Sequence, residues 1–154
     1  MRHLGTKEVD DYLTDYQKHH HKDKTHPDLL SDCDVFSIES SYGDFDNIIV
    51  SRSRLTKFEA LGCSFVSASF TGTTFHECVF TECNFTSSDF TGASLIDCTF
   101  KDCTFDYANM CGAYFYDCLL QLCSFVEAET LGVQQEVSGR KSSAHIFYDL
   151  PITK

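Results

Sequence analysis

The chain has 154 residues and a formal charge of −11, with fourteen Phe, seven Tyr, no Trp and nine Cys. That length suits one domain, and the negative charge argues against direct binding to nucleic-acid phosphate while favouring a basic protein surface. No apolar run reaches membrane-spanning length, the opening MRHLGTKEVDDYL lacks the apolar core of a signal peptide, and an odd number of cysteines whose spacing follows an internal repeat argues against a secreted disulfide framework. A cytoplasmic protein is the expectation.

Residues 1–32 stand apart as an N-terminal helix and loop. Thr6 reads as an N-cap with acidic residues behind it. Val9, Tyr12, Leu13 and Tyr16 recur at helical spacing on one face, which predicts a short amphipathic helix over about residues 7–18. His19, His20 and His21, then Lys22, Asp23, Lys24 and Pro27, indicate a loop. The helix is expected to cap the end of the repeating region or to dock a partner.

From residue 33 to 132 the chain repeats itself. The pattern is weak at first: Cys33, Val35 and Ile38 open a partial turn, and Phe45, Val50, Leu55 and Ala60 occupy the large positions of the next row. Between Gly62 and Glu129 a large apolar residue falls on every fifth position, with a small residue two places before each. Rows of twenty then align Phe65, Phe85, Phe105 and Phe125; Phe70, Phe90 and Met110; Phe75, Leu95 and Phe115; and Phe80, Phe100 and Leu120. A beat of five suits neither the helical period nor that of a long strand. It predicts one short extended piece and one corner per beat, four pieces to a closed square coil, and about four coils stacked about 4.8 Å apart. Gly72, Gly92, Gly112 and Gly132 share one corner, where a conformation costly to other residues is expected. Thr130 and Gln135 interrupt the large series. Residues 133–154 read as a C-terminal tail in which Ile146, Phe147, Tyr148 and Leu150 form a candidate strand that caps the stack or pairs with a second copy.

Cys83-Asn84-Phe85-Thr86-Ser87, Ser88-Asp89-Phe90-Thr91-Gly92 and Ala93-Ser94-Leu95-Ile96-Asp97 each place a small residue, a polar one, then Phe or Leu and two more. Over about residues 43–129 this resembles the pentapeptide-repeat family. The resemblance implies an all-β fold, a right-handed quadrilateral β-helix. Its Phe- and Cys-rich character is similar to the branch that includes the quinolone-resistance and gyrase-protecting members. For those members the resemblance implies DNA mimicry, an acidic rod occupying the basic channel of a topoisomerase such as gyrase.

The residues themselves offer little catalytic chemistry. No nucleophile elbow, zinc-protease, P-loop or dinucleotide motif is present, and a convex prism offers no cleft to desolvate an acid–base pair, so no enzyme activity and no cofactor are expected. Cys78/Cys83, Cys98/Cys103 and Cys118/Cys123 give three C-x4-C copies, but the twenty-residue register places them at small inward positions as packing, not as metal ligands. Cys111 follows Met110 and is expected to face solvent. The histidine run does not share one helix face and reads as a polar tail without metal. Charge is the remaining clue. Glu77, Asp97 and Asp117 stack at one corner, Glu82 and Asp102 at the next, and Asp89 and Asp106 lie on adjoining faces. Repulsion along such columns costs stability, which points to a protein partner with a basic surface. The expectation is a non-catalytic interaction or scaffold module, a monomer or a C-terminally joined homodimer. Gyrase mimicry, and an effector or signalling adaptor using the N-terminal segment, are the alternatives.

Overall fold

A computed structural model describes residues 1–19 and 30–138. The segment holding Ile146, Phe147, Tyr148 and Leu150, and the histidines His20, His21 and His26, lie outside the described residues.

The five-residue beat is written directly into the backbone. Every fifth residue from Asp32 to Gly132 has a positive φ, sixteen of them non-glycine and five glycine. Each such residue turns the chain through one corner, and four corners close a coil. A left-handed conformation costs a residue with a side chain about 1–2 kcal/mol, so these corners persist only because the stack on either side holds them. This corrects the expectation for the Gly72–Gly132 column: every corner adopts the same conformation, and glycine is not what permits it there. Gly62 is different. Its φ is +62°, and a Cβ added to it would lie 2.6 Å from the Tyr42 ring, which folds down over that corner.

Two of the four sides are regular parallel sheets. The first runs β1 (Arg2–Leu4), β2 (Cys33–Phe36), β4 (Arg54–Thr56), β6 (Thr74–His76), β8 (Ser94–Ile96), β10 (Tyr114–Tyr116) and β12 (Gln134–Glu136). The second runs β3 (Glu39–Ser41), β5 (Glu59–Leu61), β7 (Val79–Thr81), β9 (Thr99–Lys101) and β11 (Leu119–Gln121). The other two sides are held by single parallel bridges such as Ser64↔Asn84 and Ser69↔Asp89. All register shifts within the stack are twenty residues, as in Leu55↔Phe75↔Leu95. The stack makes about five turns, not four. The weak rows at its ends stay in register because the backbone ladder, not side-chain size, holds each coil: Ala60 and Thr130 occupy large positions, yet both are buried.

Side chains fill the interior as columns. Phe65, Phe85, Phe105 and Phe125 stack with centroids 5.0 Å apart and planes 5° apart, and Phe80 and Phe100 do so at 5.0 Å and 9°. Neighbouring columns meet edge to face, as Phe85 and Phe90 do at 5.5 Å and 68°, an arrangement worth about 0.5–1.5 kcal/mol per pair beyond burial. The small inward residues do more than fill space. Cys78 Sγ donates to the Leu55 carbonyl at 3.2 Å and Cys118 Sγ to the Leu95 carbonyl at 3.1 Å. Thr73 Oγ1 donates in the same way to the Val50 carbonyl. Cysteine here combines an apolar body with a weak donor aimed at the preceding coil. The neighbouring Cys118 and Cys78 thiols and burial together push the Cys98 thiol up, so it stays protonated. Seven cysteines are buried, while Cys111 and Cys123 are part-exposed. Under native conditions a thiol reagent is therefore expected to modify Cys111 first and Cys123 more slowly, the others only on unfolding; loss of the fast phase in Cys111→Ser checks the assignment.

The N-terminal end is closed. Helix α1 (Thr6–His19) lays Val9, Leu13 and Tyr16 onto the core, with Tyr12 packed against it. Its cap sits one residue earlier than expected: the Gly5 carbonyl accepts from Val9 N, and Glu8 Oε2 accepts from Gly5 N at 2.8 Å, half of a capping box. Strand β1, which no sequence signal announced, pairs with β2 and covers the edge of the first sheet. Tyr16 Oη donates to the Asp46 carbonyl at 2.5 Å, tying helix to stack. Tyr16→Phe is expected to cost about 1 kcal/mol in a urea melt. Burial, then Tyr12, Asp44 and Asp46, raise the Tyr16 phenol above its ordinary value. Its contribution is therefore complete below the unfolded value of about pH 10 and is lost as pH rises through the folded one.

Candidate acidic docking face

The seven acidic residues singled out in the sequence occupy unlike settings. Asp106 Oδ1 accepts from Val126 N at 2.9 Å and from the Ser124 hydroxyl, bridging two coils. Asp89 Oδ1 accepts from Thr91 N at 2.9 Å and shapes its own turn. Asp117 is buried, with Ser138 N at 2.7 Å from Oδ1 and the Ser138 hydroxyl at 2.5 Å from Oδ2. At the same corner Glu77 meets Lys57 at 3.8 Å and His76 at 3.9 Å, and Asp97 meets His76 at 4.0 Å. The most regular acidic column is therefore largely answered from within the chain. Glu82 and Asp102 are exposed at the opposite edge of the second sheet, with no cationic partner among the described residues.

That sheet gathers residues that lie far apart in the sequence. Strand β7 runs from the Glu77 corner to the Glu82 corner, and β9 from Asp97 to Asp102. Glu39 and Glu59 stand outward on β3 and β5 in direct register, and neither was identified from the sequence. Both lie in the weak first rows, where the pattern is legible for inward positions while outward ones carry no period. Beside them Leu61, two residues past Glu59 on β5, and Val79, paired with Glu59 on β7, are each 37% exposed, in a shallow groove of about 300 Å³ lined by Glu39, Ser41, Glu59, Leu61, Val79 and Thr81. Tyr42, 74% exposed, stands at its edge. The arrangement is an apolar strip framed by carboxylates, with Lys101 and Lys57 as the basic residues on or beside it. Among the described residues no group of three His, Cys, Asp or Glu could hold a metal ion, and no helix is long and apolar enough to cross a membrane.

The pattern of small and large residues that builds this prism matches the family model for a pentapeptide repeat region over residues 53–134, more than half of the chain. The chain belongs to the pentapeptide-repeat family. Solved pentapeptide-repeat structures share its fold. HetL, a pentapeptide repeat protein involved in heterocyst differentiation regulation in the cyanobacterium Nostoc sp. strain PCC 7120, aligns with a TM-score of 0.50 at 11% identity, covering 68% of this chain and 54% of its own. A pentapeptide repeat protein of the Arabidopsis thaliana thylakoid lumen aligns at 0.40 and 20% identity, covering 62% and 74%. QnrB1, a plasmid-mediated fluoroquinolone resistance protein, aligns at 0.38 and 15% identity, covering 77% and 74%. The chain thus spans about half the length of HetL. No curated protein sequence matches it. Pentapeptide-repeat proteins are generally structural or interaction proteins, and the outer faces of this one are where its individual chemistry lies.

Proposed function

We propose that this pentapeptide-repeat protein is a non-catalytic interaction module whose second sheet, β3 to β11, docks a protein segment combining lysine or arginine with apolar side chains. The observation that carries the reading is the coincidence on one face of exposed Leu61 and Val79 with Glu39, Glu59, Glu82 and Asp102. An apolar centre with a polar rim is the anatomy of protein interfaces, and stacked, unanswered carboxylates are stabilised when a cation arrives. The same coincidence favours a protein segment over mimicry of DNA. A DNA mimic needs unanswered charge along its length, whereas here Glu77 and Asp97 meet Lys57 and His76 and Asp117 is buried. A cytoplasmic location belongs to the same reading, because nine cysteines, an odd number, argue against a secreted disulfide framework.

The test is a fluorescence anisotropy titration with a labelled extended peptide alternating lysine and valine, with a glutamate–valine peptide as control. Saturable binding of the lysine peptide alone, weakening as salt rises, is expected. Equal binding of both peptides, or none, overturns the reading. A gyrase supercoiling assay with a quinolone separates it from topoisomerase mimicry: protection there would favour the mimic.

A further inference from the structure

The first sheet carries outward positions unlike those of the second. Val35, Leu55, Phe75, Leu95 and Phe115, the residues of its strands that point inward, are buried, so the residues on either side of them face out. Phe36 on β2, 54% exposed, stands near one end of the outward row. Ile96 on β8, and Tyr114 and Tyr116 on β10, are half-buried toward the other. The two tyrosine rings lie 6.3 Å apart, and Tyr114 Oη donates to Glu136 Oε2 at 2.7 Å. Charge is sorted along the same row. Arg54 lies on β4 and Lys57 at the corner after it, with its Nζ 5.6 Å over the Phe36 ring. Asp97, at the corner after β8, and Glu136, on β12, lie toward the far end. Two carboxylates break this order, and both are met within the chain: Asp34 by His3 at 3.1 Å and Glu77 by Lys57 at 3.8 Å.

We infer that this face receives a second copy of the chain, turned end for end. A two-fold axis laid along β6, the middle strand of the seven, brings β2 opposite the partner's β10 and β4 opposite the partner's β8. Phe36 then meets the partner's Tyr116, and Lys57 meets the partner's Asp97; the symmetry makes each contact twice. At the axis β6 meets itself through Thr74 and His76, which carry no fixed charge. The other face-to-face arrangement, with both stacks pointing the same way, fails on charge, because it sets Arg54 and Lys57 against the same basic residues of the partner. Seven strands span about 29 Å and a five-residue side about 16 Å. The pair therefore covers roughly 900 Å² counting both copies, in the range of weak, transient interfaces. The formal charge of −11 on each chain also opposes association. Both limits point to a dissociation constant on the order of 100 µM. The second sheet, on the adjoining side of the prism, stays uncovered by this pairing.

Sedimentation velocity on the full chain, from about 10 µM to about 1 mM, tests this. The wild type is expected to pass from monomer toward dimer across that range, and Phe36→Ser to weaken the dimer at least about tenfold. Lys57→Glu and Asp97→Lys, each alone, set like charges against each other across the axis and are expected to sediment as monomers throughout. Both keep the fold, because Glu77 and Asp97 already hold the corner conformation of Lys57 and exposed ion pairs contribute little to stability. An equimolar mixture of the two variants is expected to dimerise again. It carries the total charge of two wild-type chains, and each reversed charge faces its opposite. A wild type that stays monomeric at the highest concentration overturns the proposal. So do single variants that dimerise as the wild type does, or a mixture no more dimeric than its components.

Discussion

Phe90→Asp abolishes the cooperative fold. Phe90 has no exposed surface; it stacks on Phe70 at 5.1 Å and meets Phe85 and Phe105 edge-on at 5.5 and 5.7 Å. Truncating such a ring costs about 3–5 kcal/mol, already a large share of an ordinary stability margin of about 5–15 kcal/mol. A carboxylate in its place meets a shell of rings, with no cation or free donor to compensate its lost hydration. Thermal melts followed by circular dichroism should show no cooperative transition for the aspartate variant and a lowered but cooperative one for Phe90→Leu. A wild-type melting temperature for Phe90→Asp would mean that the columns do not point inward.

The largest effect expected on binding comes from the second sheet. Reversing Glu59, Glu82 and Asp102 together to lysine is expected to weaken the lysine–valine peptide at least about 100-fold, roughly 2.7 kcal/mol, with no loss of melting temperature. Those side chains are exposed, and three lysines on a chain of formal charge −11 lower its overall self-repulsion, so the fold is kept. Reversing Asp106 instead is expected to do the opposite. Its Oδ1 ties Ser124 and Val126 of the next coil to its own, so Asp106→Lys lowers the melting temperature and leaves peptide affinity within about threefold, in keeping with independent sites. The pair of variants separates carboxylates that build the prism from those available to a partner.

How much of the molecule is legible in its sequence depends on what repeats. The inward columns are legible because Phe65, Phe85 and Phe105 must recur every twenty residues to stack, and any departure opens a void. The corner conformation is only half legible. Glycine at 72, 92 and 112 draws attention to it, while Glu77, Asp97 and Lys57 adopt it with nothing in their side chains to announce it. The outward positions obey no packing rule, so acidic residues that look alike when the rows are aligned turn out to be a coil bridge at Asp106, a buried end contact at Asp117 and an unanswered charge at Glu82. Glu39 and Glu59 escape a sequence reading because only the pairing of β3 with β5 places them side by side. Strand β1 escapes it because three residues without an apolar alternation carry no strand signal.

The central claim is that one face of the prism is the docking surface. Its most direct measurement is a backbone amide chemical-shift map of the isotope-labelled full chain titrated with the lysine–valine peptide. Shifts concentrated on Glu39–Ser41, Glu59–Leu61, Val79–Thr81 and the Glu82 and Asp102 corner, and abolished by the triple reversal, are predicted. Shifts centred on the bridge-held sides around Asn84 and Asp89, or spread evenly over all four faces, would contradict it.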